Sequence, residues 1–295
     1  MIAPIIAFAK TQLEVAEHLQ DISVTISSVD RYSRSEGSGV LIVREVDGKN
    51  VTFVLTCAHV VDNLRNVRKI IRGGQTMQVV EFSPVQIVKE LVESGRKVGE
   101  VRMDADVIQY SDADTGEDLA VLMVHAKDYS KSSTDFYLND KNPIVPIGTD
   151  LFHVGSLLGQ FGSNSMTNGI MSQVGRVRNK VEFDQTTVTA FPGSSGGGVY
   201  LKNGTYVGMI VRGAGEGFNL IVPMRRIIRW LERNDMLWVI DPREKVPALE
   251  DIKKIPVEGA IDDVEDEKNI TSSELDQYPE MIRKLPFSTD LIEKK

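Results

Sequence analysis

Cysteine is almost missing from this chain: among 295 residues only Cys57 supplies a thiol. No intrachain disulfide can form, and neither a CxxC redox pair nor a cysteine-based zinc site can be built. Small secreted domains usually rely on disulfide staples, so a reducing, cytoplasmic or otherwise intracellular setting is expected. Histidine is nearly as scarce. The four residues at 18, 59, 125 and 153 lack the spacing of metal ligands, so neither a metal nor another cofactor is expected. Basic residues are outnumbered 34 to 42, for a net charge of −8. Nucleic-acid binding relies on clustered Lys and Arg, and the locally basic Arg65–Arg72 reads as a solvated face. Long apolar runs are lacking too. Met1–Lys10 is short and has no positive charge ahead of its apolar residues, unlike a secretory signal, and no later run approaches the ~20 residues that span a bilayer. A soluble chain is expected, with neither nucleic acid nor membrane as partner.

What remains is an apolar fraction of 41%, enough for one large domain or two small barrels sharing a cleft. Apolar residues at helical spacing (Leu13, Ala16 and Leu19, flanking Glu17) predict a short helix over 10–20. Short β-type runs follow at Ile22–Ile26, Val40–Val43, Val51–Thr56, Val79–Phe82, Val98–Met103 and Leu119–Val124. More follow at His153–Leu157, Gly169–Arg178, Thr186–Ala190, Gly197–Leu201, Tyr206–Arg212 and Asn219–Val222. Many short strands punctuated by Gly, Asn and Asp indicate an all-β barrel or sandwich rather than a parallel α/β sheet. Pro223–Asp235 reads as a closing helix. Residues 241–295 differ in composition, with 15 acidic and 9 basic residues and prolines at 242, 247, 256, 279 and 286. Such a stretch buries little apolar surface and is expected to be an extended or disordered acidic tail. Three parts are expected: an N-terminal helical segment (1–21), a β domain (22–240) and the tail (241–295).

The sharpest chemical signal is Phe191-Pro-Gly-Ser-Ser-Gly-Gly-Gly198. A serine between glycines suits a tight turn that exposes its hydroxyl while backbone N–H groups point at a developing oxyanion; Gly193 and Ser195 would supply those donors. Gly193-Ser-Ser-Gly-Gly197 also fits the G-x-S-x-G elbow of α/β-hydrolases, but that fold places its histidine after the serine, and all four histidines here precede it. His59, in Leu55-Thr-Cys-Ala-His-Val-Val61, ends an apolar strand where packing holds a base against a cleft. His125 is the second candidate; His18 and His153 sit on the helix and a strand. Eleven aspartates lie between His59 and Ser195, so spacing alone does not choose the acid. Asp118 stands directly before Leu119–Val124, at the edge of a buried strand. Asp112 and Asp114 fall in a turn, and Asp62 is close to His59 in sequence. Asp118 is therefore preferred as the acid that orients the imidazole. Gly213-Ala-Gly-Glu-Gly217 lacks the Lys-Ser/Thr and the following helix of a phosphate loop and reads as a turn.

With these residues in view, the sequence resembles the trypsin-like serine peptidases, particularly their HtrA/Deg-like branch. Gly37–Ile42, Leu55–Val60, Glu117–Leu122, Val154–Gly159, Thr167–Arg176, Gly193–Gly197, Val207–Ile210 and Gly217–Pro223 carry the resemblance, in order, across about residues 20–230. It implies two antiparallel six-stranded barrels with the site between them. It also implies a serine endopeptidase acting on polypeptides, in which Ser195 attacks the peptide carbonyl and His59 moves the proton, through an acyl-enzyme. Val211-Arg212-Gly213 matches the strand that pairs with substrate backbone, and Thr189 lies at the base of the specificity pocket. No acidic residue there supports a Lys or Arg preference, so small or aliphatic residues are expected, with Arg212 suited to an acidic neighbour.

Departures from the pattern are informative. Ser194 stands where trypsin-type enzymes carry an Asp that pairs with a newly cut N-terminus, so activation by that ion pair is not expected. Nothing after Ile240 resembles the PDZ domain common in HtrA proteins. The step of 59 positions from His59 to Asp118 holds an extra charged segment, Val85–Asp114, expected as a long hairpin or loop near the cleft. Two other readings remain: a protease fold with an idle triad serving as a binding or scaffold module, and a self-processing protease. The acidic tail would serve as linker, partner-docking segment or cleavage site.

Overall fold

The computed structural model describes residues 11–29, 34–72, 75–93, 95–139, 143–178, 180–213 and 217–258. Two antiparallel six-stranded sheets, each closed on itself, form the body. The first barrel uses β1 (Ser23–Val29), β2 (Arg34–Val46), β3 (Lys49–Thr56), β6 (Val85–Glu93), β7 (Arg96–Ser111) and β8 (Leu119–Val124). Between β3 and β6 a separate two-stranded hairpin, β4 (Arg65–Arg72) with β5 (Gln75–Phe82), stands off the barrel. The second barrel uses β9 (Asp150–Leu157), β10 (Gly162–Arg178), β11 (Val181–Thr186), β12 (Gly198–Leu201), β13 (Tyr206–Gly213) and β14 (Asn219–Pro223). Closure gives every barrel strand a neighbour on both sides, although Val211–Gly213 of β13 runs past its last β12 partner. The chain is all-β, as expected.

Local chemistry explains the turns and ends. Asp47 and Gly48 both take positive φ, 49° and 73°, between the paired Val46 and Lys49. An Asp-Gly pair of this conformation matches the twist of a two-residue hairpin. Helix α1 (Gln12–Asp21) begins with a reciprocal capping box between Thr11 and Glu14 and buries Val15 and Leu19 in the core. Helix α2 (Met224–Arg233) buries Met224, Ile227, Trp230 and Leu231, one apolar stripe at helical spacing. A following 3-10 turn returns to the first barrel, where Trp238 meets Phe53 edge-on at 5.4 Å between centroids. The larger core is continuous across both barrels; a smaller one, with Leu151, Met171, Val199 and Ile221, fills the second barrel.

Three expectations are corrected. Val85–Asp114 does form the expected long hairpin, β6 paired with β7, but it is no extra segment, for both are strands of the first barrel; their solvent-facing outer halves carry the charges that hid the alternation. Thr186–Ala190 is not a strand. The preceding Val181–Thr186 is, and beyond it side chains satisfy the backbone: Thr187 Oγ1 accepts from Ile170 N and Thr186 Oγ1 from Val188 N. Residues 241–258, finally, are not an extended tail. They wrap the first barrel: Arg44 Nη1 donates to Asp241 O at 2.7 Å, Leu249 N to Asp47 Oδ2 at 3.0 Å, and Tyr110 N to Val257 O at 2.7 Å. A short helix, α3 (Leu249–Ile252), buries Ile252, and Glu258 pairs with the Arg65 guanidinium through both carboxylate oxygens. The expectation for 259–295 lies outside the described residues, as does that for 1–10.

Candidate active site

His59 sits on a 3-10 turn, Ala58–Val60, directly after β3. Its neighbours Ala58 and Val60 are buried and hold the turn, while the imidazole is 37% exposed. Asp118 lies just before β8 and is buried, at 4% exposure. Its carboxylate meets His59 twice: Oδ1 accepts from the backbone N at 3.1 Å, and Nδ1 lies 3.0 and 2.9 Å from Oδ1 and Oδ2. An ionised Asp118 therefore holds the proton on Nδ1 and leaves Nε2 as the basic nitrogen. Burial alone would push the Asp118 carboxyl up, but the neighbouring His59, its hydrogen bonds and the Arg212 charge together bring it below the ordinary aspartate value. The geometry has a cost. Asp118 takes φ 55°, a left-handed conformation worth about 1–2 kcal/mol against a non-glycine residue, and strain of this kind gathers at functional sites.

The serine loop is closed by its own backbone. Ser194 N donates to Phe191 O at 2.9 Å, Ser194 Oγ accepts from Phe191 N at 3.1 Å, and Gly197 N donates to Ser194 O at 2.9 Å. Ser194 thus acts as a local turn clasp, without a counter-charge. Gly196 N donates to Ile210 O at 2.8 Å, an oxygen that also accepts from the Cys57 thiol two residues before His59. Glycine is required twice: Gly193 has φ 96° and a Cβ there would lie 2.3 Å from Ser156 O, while Gly196 has φ 88° and its Cβ would lie 2.0 Å from Ser38 O. Pro192 O is fixed by Leu158 N at 2.7 Å. The amides of 194, 196 and 197 are consumed in these contacts, whereas those of Gly193 and Ser195 donate to no protein acceptor among the described residues. Two free N–H groups in alternation, flanked by spent ones, are what an oxyanion site needs.

The histidine turn and the serine loop are brought together by Ser38, which the sequence reading passed over. Its backbone N donates to Ser195 O at 2.7 Å, its hydroxyl donates to Gly193 O at 2.7 Å and accepts from Ser156 N at 2.7 Å, and its carbonyl accepts from Thr56 Oγ1 at 2.7 Å. The only sequence signal was its place between Gly37 and Gly39. A Cβ on Gly37 would touch both the Val60 side chain and Ser195 O, so the glycine admits the close approach of the two barrels. No hydrogen bond joins Ser195 Oγ to His59 among the described residues; such contacts are often loose until substrate binds.

The remaining candidates separate clearly. Val211 is buried, and Arg212 and Gly213 are half-buried at the end of β13, where a register shift precedes Arg212; Arg212 Nη2 reaches Ala113 O, in the β7–β8 connection of the first barrel, at 3.4 Å. Thr189 is half-buried and accepts through its carbonyl from Thr167 Oγ1, while buried Asn219, also unforeseen, donates to Val188 O beside it. His125 is paired with Asp106 on the outside of the first barrel. His153 is fully buried behind the serine loop, its Nδ1 on Gly198 O at 2.9 Å and its ring against Gly197. Ligand atoms of Cys57, His59 and Asp118 lie within 4.8 Å of one another. Metal binding there needs a thiolate, which burial and the Asp118 charge strongly disfavour, and it would compete with the His59–Asp118 bond.

Against known proteins, a family model described as a trypsin-like peptidase domain matches residues 37–209, which include His59, Asp118 and Ser195. No curated protein matches the chain. Among solved structures, a serine endoprotease from Yersinia pestis is similar at 17% identity and a TM-score of 0.54, over 78% of this chain and 68% of that one. Deg5 is similar at 18% identity and a TM-score of 0.53, over 78% of this chain and 96% of its own. An HtrA-type protease with tripeptide gives 19% and 0.53, with 76% of this chain and 63% of that chain covered. The family match covers more than half of the chain, with His59, Asp118 and the whole serine loop inside it, and on that ground the chain belongs to the trypsin-like peptidases and is a serine endopeptidase.

Proposed function

We propose that the chain hydrolyses peptide bonds through an acyl-enzyme, with Ser195 as nucleophile, His59 as general base and then acid, and Asp118 as the residue that orients it. The observation that carries this reading is the pair of contacts from the Asp118 carboxylate to His59, which presents Nε2 as the base. The unspent amides of Gly193 and Ser195 support it further, as donors to the tetrahedral oxyanion. Attack by Ser195 Oγ forms the C–O bond as its proton passes to His59 Nε2. Collapse breaks the C–N bond as that proton goes to the leaving amine, and water then repeats the cycle to release the acid. Val211–Gly213 offers an edge on which substrate backbone adds as a strand, and Thr189 with its uncharged surroundings suits small or aliphatic side chains.

The test is casein hydrolysis by wild type and Ser195→Ala, with cut sites read by mass spectrometry. Loss of cleavage in the variant supports the triad; equal cleavage in both refutes it. A second reading, an idle or partner-gated site, is favoured by the missing Ser195–His59 hydrogen bond. Fluorophosphonate labelling separates the two, because an idle serine does not react.

A further inference from the structure

We propose that Arg226 is a positioning residue for the triad acid: from the second barrel it fixes the peptide group that presents Asp118. The inference rests on the reading of Asp118 as the orienting acid. Arg226 lies in α2, is 3% exposed, and spends its guanidinium on two elements. Towards the first barrel, Nε and Nη2 donate to Glu117 Oε2 at 3.0 and 2.8 Å, and Nη2 also donates to the Glu117 backbone carbonyl at 2.9 Å. Towards the second, Nη1 donates to Glu182 O at 2.9 Å, and the guanidinium lies over the Phe183 ring, 4.8 Å from its centroid.

The contact with the Glu117 carbonyl sets Arg226 apart from an ordinary buried ion pair. That carbonyl and the Asp118 N–H belong to one peptide plane. The N–H end is held by Asp112 O at 3.2 Å, and the C=O end by Arg226. With the plane clamped at both ends, the next rotation is the left-handed φ of Asp118, which aims the carboxylate at His59. A planar fork that reaches carboxylate and carbonyl together is a property of arginine that lysine lacks. Arg233 adds a second hold on Glu117 through Oε1. The acid half of the triad is thereby registered to the barrel that carries Ser195. Arg212 acts on the Asp118 carboxyl, and Asp118, Arg212 and Arg226 all act on the buried Cys57 thiol, with Glu117 and Asp112 the acidic groups on the same loop.

The experiment compares wild type with Arg226→Lys, Arg226→Met and Glu117→Gln. It measures kcat and KM per active site titrated with fluorophosphonate, the pH profile of kcat/KM, and the NMR titration of His59. Misplacing a catalytic group by about 1 Å costs on the order of 100-fold. Arg226→Met should therefore lose about 10- to 100-fold in kcat per titrated site with KM within about two-fold, and Arg226→Lys should recover only part of it. The pH profile of kcat/KM and the His59 NMR titration should both differ from wild type in the two variants, as the carboxylate loses its aim. A kcat per titrated site equal to wild type, with an unmoved His59 titration, overturns the proposal and leaves Arg226 a structural tie. Should Arg226→Met not fold, Arg226→Lys and Glu117→Gln give the same decision. Failure of the triad reading looks different: wild type then matches Ser195→Ala in hydrolysis, and the His59 titration still decides whether Arg226 positions Asp118.

Discussion

Ser38→Ala removes one hydroxyl and tests whether the two barrels meet through it. The oxygen is fully buried and serves two partners, accepting from Ser156 N and donating to Gly193 O, each at 2.7 Å. Leaving a buried polar group without its partner costs about 1–3 kcal/mol. Ser156 is buried and bears that cost in full, while half-buried Gly193 regains part of its loss from water. The expected destabilisation is therefore about 2–4 kcal/mol in urea unfolding, at unchanged slope. Activity should fall further than stability explains, because the Gly193 carbonyl is the back of the peptide group whose neighbour donates to the oxyanion. Loss of one such donor costs about 100- to 1000-fold, so a loosened donor should cost about 10- to 100-fold in kcat per titrated site. Destabilisation below about 1 kcal/mol with unchanged kcat would falsify the role given to Ser38.

Other outcomes follow from the same geometry. His153 is wholly buried and its imidazole is pushed down to about 4 by that burial. The unfolded chain binds this proton first, so stability from this residue is complete above about pH 6.5, falls as pH drops towards 4, and amounts to about 3 kcal/mol over that window. In His153→Leu, urea titrations should lose that slope; an unaltered slope assigns it elsewhere. Asp118 has the same sign in a more acidic window: its carboxyl is held below the usual value, so its contribution is present above the aspartate range and lost on acidification, and Asp118→Asn should flatten the acid limb of stability. Ile252→Ala should cost about 2–4 kcal/mol, as for a core residue; a change below about 0.5 kcal/mol would mean that 241–258 does not pack. Gly196→Ala should abolish fluorophosphonate labelling, since its Cβ would fall 2.0 Å from Ser38 O.

Much of the site was legible because its chemistry is local. Ser195 and Gly193 share one turn, His59 follows one apolar strand, and Asp118 precedes another. Chain order alone excluded the α/β-hydrolase elbow. What escaped the reading is non-local. Ser38 acts through four bonds to segments as far as residue 195, and nothing in its own neighbourhood announces them. Arg226 looks like one basic residue among several in α2, and only the buried side chain of the folded helix shows that it faces Glu117. Val181–Thr186 was missed because Glu182 and Asp184 look solvated in sequence, whereas both bind the Arg225 guanidinium. Residues 241–258 were misjudged because prolines and charges outweighed the few apolar anchors, Ile252 and Val257, that dock on the first barrel.

The strap over the first barrel bears on the order in which the proposed site is completed. Translation delivers His59 and Asp118 early and Ser195 late, and the groups that brace the acid's loop arrive later still, Arg226 on the closing helix and Val257 against Tyr110. A growing chain therefore holds every triad atom before it holds the supports that aim them. On the function proposed above, a copy cut short after the serine loop would carry the three groups without the helix and strap that hold the acid's loop, and would stay idle.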